Sequence, residues 1–94
     1  MTQLIIGSKN KNLVPLLNGA VKNELRVIDV GISKTQRNLK DFEKKFRTTS
    51  EEFYQQFQKG EMGDSEDFVR WAGEYETLKK LLQDRKLLAG AEIC

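Results

Sequence analysis

The chain has 94 residues, of which 38% are hydrophobic and 32% are charged, and its formal net charge is +2. This length suits one domain, and the composition is too apolar for an intrinsically disordered segment. No histidine is present and Cys94 is the single cysteine. This composition excludes the commonest general base, any histidine-activated nucleophile and zinc sites built from several cysteines. We therefore expect a non-catalytic protein without metal or cofactor.

Residues 1–12 are predicted to form a short leader before a single helical domain of residues 13–94. Residues 4–6 (Leu-Ile-Ile) suit a brief strand or an apolar latch, and residues 7–10 have the composition of a turn. This apolar run is too short for the core of a signal peptide, and no segment approaches the roughly 20 apolar residues of a membrane span. We therefore expect a cytoplasmic protein without membrane contact.

The first helix is predicted over residues 13–47, with Pro15 in its first turn, where a missing N–H does no harm. Its apolar positions follow steps of four and three residues, the spacing that keeps one face of a helix against a partner helix. This seam consists of Val21, Leu25, Ile28, Ile32, Thr35, Leu39, Phe42 and Phe46. Gly31 lies beside the seam and either permits close approach of another helix or is simply tolerated, at a cost of about 1 kcal/mol.

A short second helix is predicted over residues 50–59. Thr49 and Glu52 have the spacing of a capping box at its start, and Phe53 and Phe57 share one of its faces. Gly60 follows as a helix-ending residue. This helix is expected to close the corner between two longer helices.

The third helix is predicted over residues 64–88, since Asp and Ser begin it and acidic side chains favour a first turn. Its seam is predicted at Phe68, Trp71, Tyr75, Leu78, Leu82 and Arg85. Helices 1 and 3 are expected to pair antiparallel, which gives an all-α hairpin. Six aromatic side chains should then form a cluster at the corner: Phe42, Phe46, Phe53, Phe57, Phe68 and Trp71.

The two long helices are predicted to differ in length, at about 50 Å and about 38 Å. The first turns of helix 1 would then extend beyond helix 3 and leave apolar side chains without cover. The uncovered residues of the first turns are Leu13, Val14, Leu16, Leu17 and Ala20. Further apolar residues lie off the two seams and would also lack cover: Val27 and Val30 on helix 1, and Leu81 and Leu88 on helix 3. Such a patch usually marks an interface, so we expect a homodimer that forms a helical bundle, a site for a partner protein, or both. Tyr54 is predicted to be an exposed contact residue, because it lies off the apolar face of helix 2.

A ridge of basic residues is predicted on helix 1, at Arg37, Lys40, Lys44 and Arg47. Residues 1–47 carry ten basic and four acidic residues, and residues 48–94 carry six and ten, so the two halves of a hairpin would attract each other. Intramolecular pairing is therefore the favoured use of the ridge, and nucleic-acid binding is the alternative.

Several segments resemble a group of small prokaryotic proteins described as antitoxin-like. The resemblance covers roughly residues 11–93, and its most specific part is a Ser/Thr-Glu-Glu-Phe motif, a Gly-Asp turn and the run Asp67-Phe68-x-x-Trp71-x-x-Glu74-Tyr75. Such proteins are often the first member of a two-gene toxin–antitoxin pair. The resemblance implies binding and neutralisation of a cognate toxin, often a ribonuclease, and carries no catalytic or toxin-contact residue with it.

These observations favour a non-catalytic protein-binding module, and the resemblance makes it antitoxin-like. Two alternatives remain: a nucleic-acid-binding regulator that uses the basic ridge, and a structural helical module that only self-assembles. An enzyme is not expected, because nothing in the sequence brings catalytic side chains together.

Overall fold

The computed structural model describes residues 13–90, and within them the chain is all-α, as predicted. The predictions for the leader of residues 1–12 and for the last four residues lie outside this part of the chain. The three helices are α1 (Leu13–Phe46), α2 (Ser50–Gln58) and α3 (Glu66–Ala89). The predicted ends differ from these bounds by two residues at most.

Helices α1 and α3 pack antiparallel, which confirms the predicted hairpin. Their register follows from four contacts, in which successively later positions of α1 meet successively earlier positions of α3: Asp29 with Arg85, Gly31 with Leu81, Asn38 with Glu74 and Lys45 with Asp67. The seam of α1 is also confirmed, since its buried residues are Ile28, Ile32, Thr35 and Leu39.

The predicted aromatic corner, formed by Phe42, Phe46, Phe53, Phe57, Phe68 and Trp71, is present and holds the centre of the core. The rings of Phe53 and Trp71 are fully buried and stack at 3.9 Å with an interplanar angle of 1°. Phe42 and Phe46 of α1 lie 5.6 and 5.5 Å from the Trp71 ring. Because the rings come from all three helices, this cluster fixes α2 across the closed end of the hairpin.

A buried polar network supports the same corner. The Trp71 Nε1–H donates to the Ser50 hydroxyl at 2.9 Å, and this hydroxyl donates to the Glu43 carboxylate at 2.7 Å. The same carboxylate oxygen accepts the Ser50 backbone N–H at 2.9 Å. The network satisfies the indole N–H and a free N–H of the first turn of α2, groups that burial would otherwise make costly.

The connections are stabilised by local caps. Thr49 is the N-cap of α2 and its hydroxyl accepts the Glu52 N–H at 3.1 Å. At the other end, Gly60 has φ of 77° and donates its N–H to the Phe57 carbonyl, as in a Schellman motif. Arg47, the residue after α1, also has a positive φ of 56°, a conformation that L-residues adopt at a cost.

The seam of α3 differs from the prediction in its second half. Leu82 was expected to face α1 but is 47% exposed. Leu81, expected off the seam, is half-buried and lies over Gly31, where an added Cβ would be 3.2 Å from Leu81 Cδ1. Gly31 therefore permits close approach of α3. The difference arises because α3 faces two neighbours. Phe68 lies between Phe46 of α1 and Phe53 of α2, and Tyr75 packs on Tyr54 of α2. Leu82 lies two turns beyond Tyr75 on the same side of α3, where α2 has already ended.

The molecule is elongated, with extents of 58 × 23 × 19 Å and a radius of gyration of 18.7 Å, against about 12 Å for a compact domain of this length. Helix α1 has 34 residues and α3 has 24, so the predicted difference in length is confirmed. The first turns of α1 extend past the last turn of α3, at what we term the open end. No residue between Leu13 and Val27 is buried.

Candidate interaction surfaces

The described residues contain no group of three or more acidic or cysteine side chains placed to hold a metal ion. Within the same residues, no helix combines the length and the apolar character needed to cross a membrane. The surfaces left to consider are an apolar one and a basic one, both on α1.

An apolar stripe runs along the outer side of α1 near the open end, through Leu16, Ala20, Val27 and Val30. The exposed fractions are 69% for Leu16, 56% for Val27 and 66% for Val30, and Ala20 is also exposed. At 3.6 residues per turn these four positions share a face about 80° wide, turned away from the seam. Four of the predicted interface residues therefore share one face of α1, on which the exposed Asn23 lies between Ala20 and Val27.

The other predicted interface residues of the first turns lie elsewhere. Leu13, Val14 and Leu17 are half-buried and lie on the seam side of α1 by helical spacing. Leu88 is half-buried too, and with Leu87 and Ile28 it lines an open hollow of about 350 Å³ between α1 and α3. Leu81 is taken up by its contact with Gly31, so its predicted place off the seam is wrong.

Tyr54 is not the exposed contact residue that was predicted. It is half-buried, its ring lies 5.0 Å from that of Tyr75, and its hydroxyl donates to the Glu76 carboxylate at 2.6 Å. The Lys79 ammonium lies 5.5 Å from both tyrosine rings. The hydrogen bond to Glu76 raises the pKa of Tyr54, because the carboxylate favours the protonated phenol. Tyr54 thus joins α2 to α3.

The basic ridge, formed by Arg37, Lys40, Lys44 and Arg47, is exposed along its length. Within residues 13–90 the ion pairs are Lys45–Asp67, Lys80–Asp84 and Asp29–Arg85, and none involves a ridge residue. The favoured interpretation of the ridge, intramolecular pairing, is therefore wrong for this part of the chain.

The acidic residues near the corner make other contacts instead. Glu43 binds Ser50, Glu52 accepts from the Thr48 hydroxyl at 3.4 Å, and Asp67 binds Lys45 at 2.8 Å. The hydrogen bond from Lys45 lowers the pKa of Asp67. These carboxylates therefore have local partners other than the ridge residues, whose side chains are exposed to solvent.

Sequence reasoning missed two features of the open end. The first is the ion pair in which Arg85 donates to both carboxylate oxygens of Asp29, at 2.6 and 3.4 Å, and lowers the aspartate pKa through this hydrogen bonding. The second is Leu87, which is 66% exposed beside the hollow. The antiparallel register gives the signal for the pair, since it places opposite charges across from each other.

Comparisons with known proteins identified no relative of the chain. No protein-family model matches it, no curated protein matches it, and no solved structure matches it.

Proposed function

We propose that the protein is a non-catalytic protein-binding module that holds an amphipathic helix of a partner protein on the apolar stripe of α1. The observation that carries this proposal is the exposure of Leu16, Val27 and Val30 on one side of a helix that extends beyond its neighbour. Exposed apolar side chains that share one helix face are the kind of surface that marks an interface, and amphipathic helices bind through anchors three, four and seven residues apart.

The charges beside the stripe favour a partner with acidic flanks. Lys22, Arg26 and Lys34 are exposed and form no ion pair within residues 13–90, and Glu24 is the nearest unpaired carboxylate. A second copy of the chain would bring the same excess of positive charge to both sides of the contact. An acidic helix would neutralise it, and opposite potentials favour association.

In the antitoxin-like form of this proposal, the partner is a cognate toxin, and the bound module prevents the toxin from reaching its substrate. Support for this form comes from the sequence resemblance of residues 11–93. The exposed stripe supports protein binding in general, without regard to the activity of the partner.

The proposal can be tested by co-expression with the product of the directly adjacent gene. We expect a stoichiometric complex by gel filtration with light scattering, and we expect V27S/V30S to weaken it. Covering the exposed parts of two valines contributes about 2 kcal/mol, which corresponds to about a thirtyfold change in Kd. The matched control is V69S/L82S, which removes two exposed apolar side chains from α3 and should leave the affinity unchanged.

Two results would overturn the proposal. One is an equal effect, or no effect, of both double variants on the complex. The other is a stable dimer of the chain alone that V27S/V30S dissociates, because a second copy would then occupy the stripe. For the antitoxin-like form, growth inhibition by the adjacent gene product should be relieved by the wild-type chain and not by V27S/V30S.

A further inference from the structure

The basic ridge is a second surface that the proposed partner helix does not use. Arg37, Lys40 and Lys44 follow each other at intervals of three and four residues, so they lie along one side of α1, and Arg47 continues the ridge directly after the helix. The ridge is about 15 Å long. All four are exposed. Lys45 lies between the last two in sequence, but it faces α3 and binds Asp67.

The ridge keeps most of its positive charge. Asp41 borders it and is exposed without an ion pair in residues 13–90, so the four cations leave a local excess of three positive charges beside it. Glu43, which is adjacent in sequence, is turned to the corner by its two hydrogen bonds with Ser50. A rigid line of uncompensated cations is suited to a ligand that carries a regular line of negative charges.

We propose that the basic ridge binds the phosphate backbone of duplex DNA without sequence preference. Each strand of a duplex carries one phosphate per about 3.4 Å of axis, so about 15 Å of ridge lies against about four phosphates. Binding is driven by release of the counterions that those phosphates hold. The major groove is wide enough to accept an α-helix, and the four ridge side chains are exposed in the described part of the chain.

Other polyanions fit the ridge less well. Single strands are usually bound by stacking of bases on aromatic side chains, but Phe42 and Phe46 pack inside the aromatic corner. Anionic membranes are bound by helices that also insert apolar side chains, and no large hydrophobic residue between Arg37 and Arg47 is exposed. Duplex RNA has a major groove too narrow for a helix.

The test is fluorescence anisotropy with the full chain and a labelled 20-base-pair DNA between 50 and 200 mM NaCl. For four phosphate contacts, the logarithm of the association constant should fall with log salt at a slope of about −3.6, which is about a 150-fold loss over this range. R37Q/K40Q/K44Q should reduce the slope to about −1, because only Arg47 remains. The control K59Q/K80Q/K86Q removes the same charge from exposed positions on the other side of the corner and on α3, and should keep the wild-type slope.

Circular dichroism of both triple variants verifies that they are folded, as expected for exposed helical positions. The proposal is overturned by absence of binding at 50 mM NaCl, by a wild-type slope shallower than about −1.5, or by an equal loss in the control. Tighter binding of single-stranded DNA, duplex RNA or vesicles with one quarter phosphatidylserine at the same salt would also overturn it. A binding-competent V27S/V30S variant would separate this surface from the apolar stripe.

Discussion

Replacement of Ser50 by alanine removes the centre of the buried network between the three helices. The Ser50 hydroxyl bonds both Trp71 and Glu43, and the indole ring of Trp71 is fully buried. Alanine would leave the indole N–H without an acceptor, and an unsatisfied buried donor costs about 1–3 kcal/mol. The backbone N–H of residue 50 would keep its bond to Glu43. We therefore expect the free energy of unfolding to fall by about 2 kcal/mol.

Urea unfolding monitored by tryptophan fluorescence measures this loss directly, because Trp71 is the single tryptophan of the chain. With a slope of about 2 kcal/mol per molar urea, typical of a small domain, the midpoint should fall by about 1 M at an unchanged slope. The matched control is Ser33→Ala on the exposed side of α1, which should change the stability by less than about 0.5 kcal/mol.

A loss below about 0.5 kcal/mol in Ser50→Ala, or an equal change in both variants, would refute the reasoning. Either result would mean that the indole N–H finds another acceptor or that the network does not contribute to folding.

Four further substitutions test the backbone at the turns, the middle of α3 and the contact between α2 and α3. Gly60→Ala should lower the free energy of unfolding by about 1 kcal/mol, because the native φ of 77° is strained for alanine. Arg47→Gly should raise the free energy of unfolding by about 0.5–1 kcal/mol, because glycine adopts the native φ of 56° without this strain. Thermal unfolding should show a lower melting temperature for the first variant and a higher one for the second. Gly73→Ala should stabilise α3 by about 1 kcal/mol, because the added Cβ would meet no atom within 4 Å apart from its chain neighbours and its own helix backbone. An unchanged melting temperature would contradict this. The raised pKa of Tyr54 stabilises the folded state below the ordinary tyrosine pKa of about 10, and this contribution is lost as the pH rises through the pKa of the folded state. Glu76→Gln removes the carboxylate that raises this pKa. An absorbance titration should therefore show that Tyr54 ionises at a lower pH in Glu76→Gln than in the wild type.

The helices and their antiparallel pairing could be predicted from the sequence because the signals agree at several levels. The heptad steps of α1, the cap at Thr49 and the turn at Gly60 each mark one structural feature, and all three are present. The aromatic corner followed from the same spacing, since large rings on facing seams must meet where the chain reverses.

The second half of α3 could not be predicted because its apolar residues serve two different neighbours. The spacing from Trp71 and Leu78 fits a seam that continues through either Leu81 or Leu82. The choice between these two residues depends on where α2 ends. Tyr54 was misplaced for a related reason: its partner Glu76 belongs to another helix, and only the tertiary structure brings the two together.

The use of the basic ridge was also beyond the reach of sequence reasoning. Opposite charges that are close in sequence suggested mutual pairing. Whether two such side chains form an ion pair depends on the direction in which each one points. Glu43 and Asp67 bind Ser50 and Lys45, whereas the ridge residues are exposed and form no ion pair within residues 13–90. A count of charges along the chain predicts whether two segments attract each other. It does not predict which partner each charged side chain contacts in the folded protein.

The concentration of buried side chains near the corner has a consequence for how the native state opens. Within residues 13–90 every buried residue lies between Ile28 and Ala72, so in this part of the chain the first turns of α1 depend mainly on their own backbone hydrogen bonds. Local unfolding is cheapest where few apolar contacts must be broken, and the hairpin should therefore fray from its open end while the corner stays intact. A ligand that binds to those turns would order the part of the helix that frays most readily in the free protein. Part of its binding free energy would then be offset by the entropy lost when these turns become ordered.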